Sequence, residues 1–328
     1  MSKKWFSISV SIIFILTSYS VVALNDLNKI TRPNEVETSS HIILHVDDAT
    51  NVATVLKSDG FDVLYDSLTD TSLELIVTPK ELNLLLMRGF EIEIIEHGRP
   101  FIEIQNERIE NSQGMLFPGY PDLAEIIDEM YDVESSYPSI CKVYDLTETY
   151  GVSPTYEDRH IYAMKISDNV DQDEDEPNFL MVSCHHAREI ITPVIALYAI
   201  EQLTTEYSYD PDITTAVDDY EIWISPVWNP DGYEYCYYHD NMWRKNRNPP
   251  NGVDLNRNYP FGWDSECSGS TDPYSETYKG SGPASEAETQ TMIAFSNDRH
   301  FAKVIDYHSY GRVVLNGYCG HSHPFSSF

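Results

Sequence analysis

The residues best suited to chemistry lie in the stretch Cys184-His185-His186-Ala187-Arg188-Glu189. His186 and Glu189 are three positions apart, a spacing that puts two side chains on one side of a helix or tight turn. An imidazole and a carboxylate held this way can grip one zinc ion. Alone, the pair is a weak sign, since such pairs also arise by chance at strand ends. His308 offers a third ligand. It follows the apolar run 301–307, as His186 follows Phe179-Leu180-Met181-Val182, so both histidines stand at the end of an expected strand. Two histidines and one glutamate leave a coordination position open, the pattern of a catalytic rather than a structural zinc site. Taken singly, His308 also fits a strand-end histidine bonded to a carbonyl. His185 has the wrong spacing to Glu189 and is expected to support the site rather than bind metal.

Two cationic clusters lie between these residues, Trp243-Arg244-Lys245-Asn246-Arg247 and Asp254-Leu255-Asn256-Arg257-Asn258. They occur in a chain with 53 acidic and only 21 basic residues. An arginine beside an asparagine suits a carboxylate, through bidentate hydrogen bonds. A second arginine could stabilise an oxyanion. Either cluster alone fits surface ion pairing equally well, and for Arg247 that is the expected role.

The elements that must position these groups follow from periodicity. An amphipathic helix is predicted over 122–136, and strands over 141–146, 160–166, 179–182, 220–226 and 301–307, the last one buried. Thr192 is predicted to cap a helix from Pro193 to about Glu206, and Ser285 with Glu288 to form a capping box for a helix through Phe295. The acidic loop 168–177 is expected to be a solvated excursion, because it lacks the ligand spacing of an EF-hand. Residues 227–282 are rich in Asn, Pro, Gly and Tyr and look like a functional loop system. Strands alternating with helices indicate an α/β domain with a mixed sheet flanked by helices, and in such sheets sites gather at strand ends.

Upstream, Lys3 and Lys4 precede an uncharged run, and Val21-Val22-Ala23 offers small residues for cleavage. That is a secretory signal layout over residues 1–23, leaving no membrane anchor after cleavage. A polar leader follows over 24–40. Residues 41–97 read β-α-β-β-α-β, a ferredoxin-like α+β module. Residues 98–116 show little periodicity and are expected to be a linker. The main domain occupies 117–328. The net charge of -32 and pI near 4.4 exclude nucleic acid as a natural partner. Five dispersed cysteines do not make a disulfide scaffold.

Six segments then fall into one order: H-A-R-E after a strand, N-P-D-G-Y, W-R-K-N-R, G-V-D-L-N-R-N-Y, S-E-T-Y-K-G and H-S-Y-G. The series, spanning roughly residues 115–318, resembles the zinc metallocarboxypeptidases of the carboxypeptidase A/B type. The N-terminal module resembles the activation domain of that family's zymogens. The resemblance implies a secreted, monomeric zymogen whose one zinc ion activates water to hydrolyse the last peptide bond of peptides and proteins. It implies zinc ligands at His186, Glu189 and His308, and an oxyanion-stabilising role for Arg244. It further implies a terminal-carboxylate site at Asn256 and Arg257, and substrate-groove contacts at Arg188, Ser309 and Tyr310. Asn241 departs from family members that carry a further groove arginine there. Against the family pattern the chain stops at Phe328, before the strands that carry the catalytic glutamate and the side-chain pocket. The expectation is therefore a domain lacking roughly its last third, and without a general base a loss on the order of 10²–10⁴ in rate. A catalytically inactive zinc- or peptide-binding protein, or a zinc amidohydrolase acting on cell-wall peptides, are the competing expectations.

Overall fold

The computed structural model describes residues 38–111, 119–265, 268–309 and 314. The expected signal segment, most of the leader and Tyr310 lie outside the described residues. Among the described residues no helix is long and apolar enough to cross a membrane.

The N-terminal module begins with β1 (Ser40–His45), whose alternating burial places Ile42 and Leu44 in a core. Asp48 caps α1 (Ala49–Ser58) by accepting a hydrogen bond from the Asn51 amide. β2 (Asp62–Leu64) and β3 (Ser72–Val77) follow. Thr78 and Glu81 then form a capping box for α2 (Pro79–Met87), and β4 (Glu91–His97) closes the unit. The sheet is antiparallel in the order β2-β3-β1-β4. Helices and strands therefore alternate as the sequence predicts. Gly60 has φ of +90° and a Cβ there would lie 2.7 Å from the Ser270 Cβ, so a glycine lets the module approach the main domain.

The expected linker is largely helical: α3 spans Phe101–Asn111. Its buried stripe includes Gln105, which bonds to the Tyr237 hydroxyl and to both backbone groups of Tyr120. A polar residue in the buried stripe is why apolar periodicity does not reveal this helix.

The main domain opens with α4 (Leu123–Ser136), capped by Asp122, and continues through β5 (Cys141–Asp145), α5 (Leu146–Tyr150) and β6 (Tyr162–Ile166). Next come β7 (Asn178–Ser183), α6 (Ile191–Thr205), α7 (Pro211–Asp219), β8 (Glu221–Ser225) and α8 (Pro230–Tyr238). After a long loop system, α9 (Ala287–Arg299) leads into β9 (Lys303–Tyr307). The sheet order is β5-β6-β8-β7-β9, with β8, β7 and β9 parallel and the others antiparallel. It is the mixed sheet expected, with α4 and α6 packed in one core layer and Phe295 of α9 in another.

Three local expectations fail. β9 is exposed rather than buried, because it is the edge strand of the described sheet. Thr192 does not cap α6, which starts a residue earlier with no side-chain cap. Its hydroxyl donates to the Glu189 carbonyl and accepts from the Cys184 amide. Ser285 forms no capping box: α9 starts after Glu286, and the Ser285 hydroxyl is engaged by Asn258 and Glu286.

Candidate metal centre

β7 and β9 run parallel with Ser183 opposite Tyr307, so the residues just past their ends are brought side by side. His308 follows β9 directly. His186 follows β7 after a sharp turn in which Cys184 takes a left-handed φ of +58°. The turn is fastened at several points. Asn229 donates its side-chain amide to the His185 carbonyl, Ala187 donates its amide to the Arg244 carbonyl, and Thr192 ties Cys184 to Glu189.

His186, Glu189 and His308 offer one ligand atom each within 4.8 Å of one another. Nδ1 of His186 lies 2.8 Å from one Glu189 oxygen, and Nδ1 of His308 lies 3.0 Å from the other. The Nε2 atoms face carboxylates instead, Asp254 at 3.2 Å from His186 and Asp306 at 3.0 Å from His308. A carboxylate on the far nitrogen fixes ring orientation and makes the near nitrogen a better ligand. Burial would raise the Glu189 pKa, but the His186 and His308 imidazoles hold it well below the usual range. Burial disfavours charge on His308, yet hydrogen bonds to Asp306 and Glu189 carry its pKa up to about 10. Two imidazole nitrogens and a carboxylate, each backed by further polar groups, fit zinc.

His185 faces Asp306 at 3.1 Å and the Tyr259 hydroxyl at 2.7 Å. It also belongs to a second possible group with Asp306 and His308.

A cavity of about 700 Å³ opens over the centre and is lined by Arg188, Arg244, Asn256, Arg257 and Ser309, with Asn241 at its wall. Asp254 holds the buried Arg244 guanidinium at 3.2 and 3.0 Å, and burial notwithstanding, that carboxylate raises the Arg244 pKa. Arg257 is looser: its Nη1 donates to the Asn256 carbonyl at 3.3 Å and its Nε stands 3.9 Å from Asp254. The Ser309 amide donates to Glu189 at 3.1 Å. Asn241 is tied to the Arg99 backbone. Arg247 pairs with Glu157 at 3.2 Å and stacks on Tyr235, away from the cavity.

Sequence reasoning did not single out Asp254 and Asp306. Each sits two residues from a nominated group, Asp254 before Asn256 and Asp306 before His308, but in so acidic a chain another aspartate carries little signal. Nor did it find Asp62, which reaches in from β2 of the N-terminal module and accepts a hydrogen bond from Arg188. Burial opposes ionisation of Asp62, but Arg188 and Arg244 hold its pKa low.

Residues 126–325 match the family model described as zinc carboxypeptidase. Metallocarboxypeptidase A of Trichophyton rubrum is 28% identical over 292 residues, covering 84% of this chain and 67% of the relative. Carboxypeptidase A4 of Mus musculus is 32% identical over 257 residues, covering 76% and 57%. The chain thus spans about two thirds or less of the length of these relatives. The crystal structure of carboxypeptidase A from Helicoverpa armigera superposes with a TM-score of 0.68 at 24% identity, over 87% of this chain and 73% of that one, a likeness of fold.

Proposed function

Because the chain belongs to the zinc carboxypeptidase family, we propose that it serves a secreted metallocarboxypeptidase that removes C-terminal residues from peptides and proteins. One observation carries the reading: three arginines line the same cavity as the His186, Glu189 and His308 group, in a chain of net charge -32. An acidic protein that gathers cations over a metal centre is suited to an anionic substrate group.

His186, Glu189 and His308 would hold the zinc, which when bound supplies Lewis acidity toward a carbonyl and acidifies water. Asp254 and Asp306 orient the two imidazoles. Arg257 and Asn256 bind the terminal carboxylate of the substrate. Arg244, fixed by Asp254 before substrate arrives, donates toward the carbonyl oxygen on which charge develops. Arg188 and Ser309, with Tyr310 next in sequence, hold the substrate backbone. The test is hydrolysis of matched peptides with free and amidated C-termini by the full-length protein freed of its N-terminal module. Cleavage of the free series alone, lost on zinc chelation, is expected. Equal cleavage of both series would refute terminal-carboxylate recognition.

The N-terminal module is proposed to be an inhibitory activation domain. In support, Asp62 occupies Arg188, and the module walls one side of the cavity with Leu64 and Ile76. It docks through Lys80 to Asp272, through Ser275 and Thr277 to the Gly60 carbonyl, and through Glu81, which accepts from the Glu276 amide.

That contact predicts a pH dependence. Burial, then the neighbouring Glu276 carboxylate, raise the Glu81 pKa to about 8, while Thr78 hydrogen bonds pull it the other way. Burial also raises Glu276, against Lys245 and Arg188, and Asp62 adds to the negative charge nearby. Beside Glu276 the docked Glu81 holds its proton more tightly than a solvated glutamate does. Docking is therefore strongest in acid and weakens by up to about 1.4 kcal/mol per pH unit as pH climbs from there toward 8. Asp62 has the opposite sign, but its low pKa confines its effect to more acidic solution. Amide hydrogen exchange at 78–81 and 275–277, corrected for intrinsic rates, is expected to lose protection between pH 6 and pH 8.5. Glu81→Gln should flatten that slope; an unchanged slope would sink the assignment.

A further inference from the structure

Asn246 stands two residues after Arg244, and Glu288 is the residue that the sequence pairs with Ser285 in a capping box. Neither lines the cavity over the metal centre. They meet in the interior instead, where Asn246, Glu286 and Glu288 are all buried. The Asn246 side-chain amide donates to Glu286 Oε2 at 2.8 Å and to Glu288 Oε1 at 3.3 Å. Asn248 donates to the same Glu286 oxygen at 2.8 Å, and the Ser285 hydroxyl donates to the other at 2.7 Å. Among the described residues neither carboxylate meets a cation, although a buried carboxylate is normally paired with one. Two such groups are spent on holding one asparagine.

The other polar atoms of Asn246 are engaged as well. Its Oδ1 accepts from the Asn248 amide at 3.2 Å and from the Val253 amide at 2.8 Å. Its own amide donates to the Val253 carbonyl at 3.0 Å, and its carbonyl accepts from the Trp243 indole at 3.2 Å. Asparagine supplies two donors and a double acceptor at this reach. Aspartate would instead turn an acceptor toward two carboxylates. The pairing of 246 with 253 sets Asp254, the next residue, against Arg244, which it holds by two hydrogen bonds. On the other flank Asn258, the residue after Arg257, accepts from the Glu286 amide at 3.2 Å and donates to the Ser285 hydroxyl at 2.9 Å. The turn entering α9 thus grips Asn246 on one side and Asn258 on the other, with Asp254, Asn256 and Arg257 between them in the chain.

We propose that Asn246, gripped by Glu286 and Glu288, is a positioning residue that fixes the separation of Arg244 from Arg257. This rests on the proposed carboxypeptidase function, in which Arg244 faces the carbonyl oxygen of the bond to be cut and Arg257 the terminal carboxylate. Those two groups lie one residue apart in a substrate, so the spacing of the arginines decides whether the last peptide bond is the one presented. Asp254 joins the two arginine-bearing segments at the cavity; Asn246 joins them in the interior and ties both to the start of α9. If the clamp slackens, the carboxylate still binds Arg257 while the carbonyl misses Arg244, and a misplacement of about 1 Å costs on the order of 10²-fold in rate. The clamp also carries a pH signature. Burial, with Glu286 and Asp231 adding to it, pushes the Glu288 pKa up to about 8, against hydrogen bonds from its own amide and from Asn246. Tyr259 is a further titratable group beside it. The clamp is therefore intact below that pH and loosens as pH rises through it, when Glu288 becomes a buried charge without a cation.

The test uses the full-length protein freed of its N-terminal module and loaded with zinc, acting on peptides with a free C-terminus. Asn246→Asp, the isosteric change, should lower kcat by a factor on the order of 10², with KM nearly unchanged and zinc content as in the wild type. A residue that merely supports the fold would lower Tm and leave kcat of the folded, zinc-loaded protein where it was. Glu288→Gln cannot ionise, so its kcat, taken relative to its own value at pH 7, should lack the fall that the wild type shows as pH passes about 8. If Asn246→Asp does not fold, the two pH profiles decide. Wild-type kcat in folded Asn246→Asp, or superimposable profiles for the wild type and Glu288→Gln, would overturn the clamp while leaving the carboxypeptidase reading intact. A wild type that releases no C-terminal residue would overturn that reading and the clamp with it.

Discussion

Glu189→Ala is expected to reduce the zinc content of the protein from one ion per chain to near none and to abolish peptide hydrolysis. Glu189 stands between Nδ1 of His186 and Nδ1 of His308 and also accepts the Ser309 amide, so its loss removes the partner of both Nδ1 atoms and of that amide. Two histidines alone are a poor zinc site, since catalytic centres of this kind use three protein ligands. Loss of a carboxylate behind a ligand should be milder, about 10- to 100-fold in metal affinity. Asp306→Asn is the informative comparison, because Asp306 supports His308 from behind and is also a member of the rival group with His185. Zinc affinity measured by chelator competition should rank wild type above Asp306→Asn above Glu189→Ala. Circular dichroism would verify that each variant folds. A Glu189→Ala protein that keeps zinc at wild-type affinity while Asp306→Asn loses it would move the centre to His185, Asp306 and His308.

The ligand set was legible because its residue types are scarce and their positions repeat. The chain has 11 histidines, and two of them follow runs that read as strands. A parallel register then does the rest, since β7 and β9 end level with each other. The carboxylates around the candidate centre were not legible for the converse reason. Asp254, Asp306 and Asp62 are three of 53 acidic residues, and nothing in their local spacing separates them from solvated ones. Their roles come from long-range placement: Asp62 meets Arg188 across 126 positions. Helix α3 escaped because Gln105 occupies its buried stripe, and Thr192 misled because a threonine that binds a turn looks, in sequence, like one that caps a helix.

Arg257→Ala is expected to lower kcat/KM on peptides with a free C-terminus by a factor on the order of 10²–10³, with little effect on zinc content. Removing one partner of a desolvated charge pair costs about 2–5 kcal/mol, and the terminal carboxylate of a bound peptide would be such a partner. The geometry favours Arg257 over its neighbours for this task. Arg244 is committed to Asp254 through two hydrogen bonds, and Arg188 is taken by Asp62 while the module is docked. Arg257 keeps one weak bond, to the Asn256 carbonyl, and its side chain stays about one-third exposed to the cavity. Its stem is steered from behind by Gly269, where a Cβ would lie 3.1 Å from the Arg257 Cγ and Cδ. Arg257→Lys tests the fork separately from the charge. A lysine retains the attraction but not the bidentate geometry, so it should recover only part of the loss. The signature of a carboxylate receptor is the change in discrimination: with Arg257 gone, the preference for free over amidated C-termini should collapse. If the rate falls equally for both substrates, Arg257 shapes the cavity and the carboxylate is held elsewhere.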